Sequence, residues 1–207
     1  MEKNLLEELT EYLQELRYIP ASEIPGLALY MDQVTGFMEE QLSMMKRSPS
    51  DKALTKTMIN NYAKNKLLPP PVKKRYSRNH ILMLLFIYYY KGILSLSDIE
   101  EILRPLHDTY FASDAVPSLA KVYEEVFSLE ADARDRLIED IRTKFARASE
   151  SFSPAQDAFS GLTEEARSEL QLFAFISELA YDIYLKKQLI ERITDQLREK
   201  SGEKKKR

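Results

Sequence analysis

Apolar residues along this chain recur every three or four positions and almost nowhere every two, so the pattern predicts helices throughout. Leu5, Leu6, Leu9, Leu13 and Leu16 mark a first amphipathic helix that ends near Ile19 and Pro20, with a turn at residues 24–26. A second helix is predicted over about 27–45, followed by a surface loop at 46–52 that contains Ser48, Pro49, Ser50 and Asp51. A third is predicted over 55–66, with Thr55 as its N-cap. At 100° per residue, Leu54, Met58, Ile59 and Tyr62 fall on one side of it, and Lys56, Thr57, Asn60, Asn61 and Lys64 on the other. Pro69, Pro70 and Pro71 then forbid helix and send the chain outward. Residues 81–90 are apolar all round, which predicts a buried central helix capped by Ser77; a further helix follows at 97–103.

Beyond residue 105 the pattern stays helical, with breaks near 104–113 and 149–162. Residues 132–147 alternate acids and bases, as a solvated helix does. Leu172, Ile176, Leu179, Ile183, Ile190, Ile193 and Leu197 form a heptad-like stripe interrupted by Lys186. Two readings stand for it, a dimerisation helix or a helix packed on its own chain. The expected fold is all-α with a minimal β wing. Its divisions are an N-terminal helix at 1–26, a DNA-binding unit at 27–104, a dimerising or sensing region at 105–200 and a basic disordered tail at 201–207.

Charge changes this picture from a generic helical protein to one with a partner. The formal net charge is −3, yet residues 41–97 hold eleven Lys or Arg against one acid, Asp51. A basic island in an acidic chain points to a polyanion. Within it, a helix with an acid-free polar face, a Pro-rich exit, a basic turn and an apolar helix follow in the order of a winged helix-turn-helix. Asn bonds bidentately to adenine, Lys reaches guanine or phosphate, and Thr touches a thymine methyl, so the helix face has the chemistry of base recognition. Lys73, Lys74 and Arg75 suit phosphates at a wing, with Arg78 just beyond them.

The segment from Met58 to Leu103 resembles the DNA-binding half of MerR-type regulators. The features that match are Ile59 and Tyr62, the Leu67, Leu68, Pro69 exit, the Arg75, Tyr76, Ser77 return, and a helix start at residues 95–99. The resemblance implies that Thr57, Asn60, Asn61 and Lys64 lie near the major groove, with Lys73, Lys74 and Arg75 at the backbone. It also implies that Tyr62 and Tyr76 are packing residues. Asn60 and Asn61 stand where that family favours Arg and Tyr, and about fifty residues precede the unit. The segment is also similar to an uncharacterised bacterial family of unknown function.

Other chemistry is scarce. There is no cysteine, which removes disulfides and thiolate metal sites. His80 and His107 are isolated, and no metal-ligand spacing, Gly-rich phosphate loop or nucleophile elbow occurs. No enzyme activity, cofactor or metal is therefore expected. Tyr88, Tyr89 and Tyr90 have the chemistry to stack nucleobases or line an effector pocket, but at least two of them read as core and rim residues. The longest apolar run has ten residues, against the 20 or so that a membrane span needs, and the N-terminus has no signal-peptide pattern, so a cytoplasmic protein is expected. The expected partners are duplex DNA and a second copy of the chain. A protein-interaction module that docks an acidic partner, and an effector-responsive helical sensor, are the alternatives.

Overall fold

From Ile81 to Ile87 every side chain is apolar, on all faces of the helix that residue spacing predicts, and such a helix is stable only when surrounded. In the computed structural model, which describes residues 3–129 and 133–204, this is α4 (Arg78–Tyr90), and His80 through Ile87 are buried. The elements around it are β1 (Leu29–Tyr30), α2 (Met31–Gln41), α3 (Lys56–Lys64), β2 (Arg75–Tyr76), α5 (Leu96–Pro105) and α6 (Leu119–Ser128). Val34 and Met38 of α2, Ile59 and Tyr62 of α3, and Ile99 and Leu103 of α5 share one core with α4. Tyr123 and Phe127 of α6 stack about Phe86, with ring centroids 5.3 and 5.7 Å away, and the Tyr123 hydroxyl donates to the Ile19 carbonyl at 2.8 Å. These elements form one compact unit, residues 18–128 together with the chain from 189 onward.

The fold is helical apart from a small antiparallel sheet. Leu29 pairs with Tyr76 and Tyr30 with Arg75, and Val72 bridges Arg75 from the other side. The sheet order is therefore β1, β2, then the short extended segment at Val72. This corrects the helix expected over 27–45, which opens on two irregular residues and the strand Leu29–Tyr30: helix starts only at Met31, where the Gln33 Oε1 accepts the Tyr30 N–H at 2.9 Å, and it gives way at Ser43–Met45 to a 3-10 turn. The expected cuts at 26 and 104 also fall elsewhere. Ile19, Ala21 and Ile24 belong to the α4 core, and α6 is pinned to it by Tyr123.

The second unit takes residues 1–17 and 129–188. Leu5, Leu6, Leu9 and Leu13 of α1 (Lys3–Glu15) pack against Ile141, Phe145 and Ala148 of α7 (Ala133–Glu150) and Phe175 of α8 (Glu164–Lys204). Phe145 and Phe175 meet edge to face at 5.4 Å. The Gln171 amide donates to the Ser149 and Ser151 carbonyls at 2.7 and 3.1 Å, closing the end of α7, and Thr163 Oγ1 accepts the Ala166 N–H at 3.2 Å to start α8. Lys144 bridges Asp140 and Asp182.

The heptad-like stripe on α8 is divided: Leu179 and Ile190 pack against the chain's own cores, and its other five residues point outward. Leu172, Ile176, Ile183, Ile193 and Leu197 are 38–59% exposed, while Gln171, Phe175 and Thr194, offset along the helix, are buried. The final turns are tied down by Arg198 Nη2 to Asp98 Oδ1 at 2.5 Å and Ser201 Oγ to Glu101 Oε1 at 3.1 Å. Residues 201–204 of the expected tail are thus helix. Residues 205–207, and Asp132 at the expected start of the solvated helix, lie outside the described residues.

Candidate nucleic-acid interface

The outward face of α3 is set by what the inward face buries. Ile59 and Tyr62 enter the core, Thr55 Oγ1 caps the first turn by accepting the Met58 N–H at 3.2 Å, and Lys56, Thr57, Asn60, Asn61 and Lys64 are left exposed. Lys56 pairs with Asp32 of α2. Among the described residues Thr57, Asn60 and Asn61 make no side-chain hydrogen bond and Lys64 no ion pair.

After α3 the chain reaches a two-residue hairpin. Val72 and Arg75 exchange backbone hydrogen bonds of 3.2 and 2.9 Å, and Lys73 and Lys74 between them have φ of 49° and 62°. Two left-handed residues between paired strands are the mark of a type I′ turn, whose preferred residues are Asn and Gly. Both lysines are exposed, as is Val72, and neither lysine has an ion-pair partner among the described residues. Arg75 is exposed but turned back along the sheet: its guanidinium donates to the Tyr30 hydroxyl at 3.0 Å and lies 4.9 Å over that ring. Arg78 is drawn inward. It is half-buried, with Nη2 donating to the Ala21 carbonyl at 2.6 Å and Nε enclosed without a partner among the described residues.

The exit of α3 holds a third left-handed lysine. The Leu67 N–H donates to the Tyr62 carbonyl at 2.9 Å and the Lys66 N–H to the Ala63 carbonyl at 3.3 Å, a Schellman pair of bonds that puts Lys66, φ 59°, where helices usually carry Gly. Left-handed backbone costs a side chain with a Cβ roughly 1–2 kcal/mol. That exceeds the ~0.4–1 kcal/mol by which a glycine loosens the unfolded chain, so Gly is the more stable choice at such positions. Sequence pattern alone did not single out Lys66, because periodicity reports faces and is silent on the backbone just past a helix end.

Residues 19–126, more than half of the chain, match the family described as Domain of unknown function (DUF1836). The chain belongs to that family. The DUF1836 match begins at Ile19, whose carbonyl anchors Tyr123, and takes in α3, the hairpin, α4 and most of α6. No curated protein and no solved structure gives a match.

Within the DUF1836 span, His80 is a structural residue. Its Nδ1 accepts the Ser77 N–H at 2.9 Å and lies 2.8 Å from the Ser77 hydroxyl, which leaves Nε2 to face the Pro70 carbonyl at 3.4 Å. The ring thereby fixes the return from the hairpin into α4. Burial holds its pKa below the ordinary imidazole value. A cleft of about 220 Å³ lies beside Lys66, lined by Leu67 and Leu103 and by Glu100, Arg104, His107 and Asp108. Its charges alternate in sign, and His107 already faces Asp108 at 2.7 Å. Among the described residues no group of three His, Asp or Glu side chains is arranged to hold a metal ion, and no helix is long and apolar enough to cross a membrane.

Proposed function

We propose that this DUF1836 protein is a transcription regulator that binds duplex DNA, with α3 facing the major groove and the Lys73–Lys74 turn against phosphates. The observation that carries this reading is the exposed α3 face of Thr57, Asn60, Asn61 and Lys64, free of acids and followed at the hairpin turn by two lysines without an ion-pair partner among the described residues. Protein surfaces used only for solvation mix charge signs, whereas polyanion-binding surfaces segregate them. The order β1, β2, Val72 supports the reading too, because a winged helix places the strand preceding its helix-turn-helix beside the returning strand of the wing. The likeness to MerR-type regulators noted for Met58 to Leu103 points the same way. The outward stripe on α8 favours a pair of chains, and two-fold proteins read two-fold operators.

The test is a duplex-DNA titration by fluorescence anisotropy at several salt concentrations, for the native chain and for Lys73→Ala with Lys74→Ala. Binding should weaken steeply with salt, and the variant should lower the slope of log K against log salt by about 0.9 for each lost phosphate contact. A native chain that ignores duplex at low salt would sink the reading and turn attention to an acidic protein partner.

A further inference from the structure

We propose that Lys66 is a phosphate contact, held with Lys73 and Lys74 in glycine-like backbone because their charge is used; this rests on the duplex-binding reading above. Four non-glycine residues among those described have positive φ, and three of them are Lys66, Lys73 and Lys74. None of the described glycines adopts that conformation. The chain therefore spends its flexible residues elsewhere and puts a long cationic side chain at each of these left-handed positions in the basic island. Left-handed positions in folded proteins favour Gly, Asn and Asp, so stability alone does not account for the choice. Strained positions that persist against a more stable alternative cluster at functional sites.

Two further observations single out Lys66. It lies two residues beyond Lys64 at the exit of α3, exposed and with no ion-pair partner among the described residues. No acid occurs in the sequence between Asp51 and Asp98, and although Glu100 and Asp108 line the cleft beside Lys66, neither forms an ion pair with it. A cation at this place, continuing from the groove-facing helix, meets the sugar-phosphate backbone and not base edges. Lys66 therefore adds affinity for all duplexes and does not discriminate among them.

The experiment compares full-length native protein with Lys66→Gly and Lys66→Gln, by thermal melting and by duplex titration across salt. Both variants remove the charge, and only glycine relieves the backbone. The expected result is roughly fivefold to tenfold weaker binding near 0.1 M salt for both, equal on unrelated sequences, with the salt slope reduced by about 0.9. Lys66→Gly alone should also melt about 2–4 °C higher. A Lys66→Gly protein that binds like the native chain overturns the proposal, as does one that loses affinity without gaining stability. Native protein that binds no duplex fails at the earlier step, which the same titration reveals before any variant is compared.

Discussion

At the scale of single residues, His80 is expected to make the fold sensitive to mild acid. Its ring lies edge to face against Tyr76 and Phe111, at 5.4 and 4.8 Å, and accepts the Ser77 N–H that starts α4. Protonating Nδ1 would abolish that acceptor and place a charge in a buried site. Since burial lowers the folded pKa below the unfolded value of 6.5, the unfolded chain binds the extra proton first as pH falls. The stabilisation is complete above about pH 6.5 and is lost progressively as pH drops toward the folded pKa, below which it levels off. Melting temperature should therefore be flat from pH 8 to 7 and decline below pH 6.5. In a His80→Gln variant, whose amide oxygen still accepts from Ser77, that decline should be much shallower; an equal decline would assign the effect to other groups.

At the scale of elements, α3 divides its labour by position. Asn60→Ala or Asn61→Ala should change the ranking of duplex sequences, by roughly 1–3 kcal/mol for the base pair concerned if a bidentate contact is lost. The check is competition between selected and scrambled duplexes, and an equal loss on both would make these residues backbone contacts. That face was legible in the sequence because helical period and charge sign are both local properties. So were α4, from its unbroken apolar run, and the caps at Thr55 and Ser77. The strand at Leu29 and Tyr30 was not, since two residues become a strand only by pairing with Arg75 and Tyr76, far away in sequence. The inward turn of Arg78 was equally hidden: a basic residue beside a basic turn reads as surface until the Ala21 carbonyl is known to lie within its reach. The left-handed lysines gave no signal because Lys lacks the turn preference by which Gly or Asn would have announced them.

At the scale of the molecule, α8 is the dominant element, 41 residues and about 60 Å long. In the proposed pair of chains its exposed apolar positions would form the seam, since exposed apolar residues in such a row are uncommon on a chain that works alone. Ile176→Glu with Ile183→Glu alters two residues already 54% and 59% exposed, so helix content should be unchanged. Sedimentation equilibrium should show a native dimer and a variant monomer; a native monomer at tens of micromolar would remove the seam. The chain passes between the two units at residues 17–18, 128–129 and 188–189, so neither unit is a single continuous stretch. During synthesis, α1 therefore emerges long before α7 and α8 can cover it, and Asp98 waits a hundred residues for Arg198. A ribosome-bound chain ending near residue 128 holds every proposed DNA-contacting side chain, yet it still lacks the helix that completes both units.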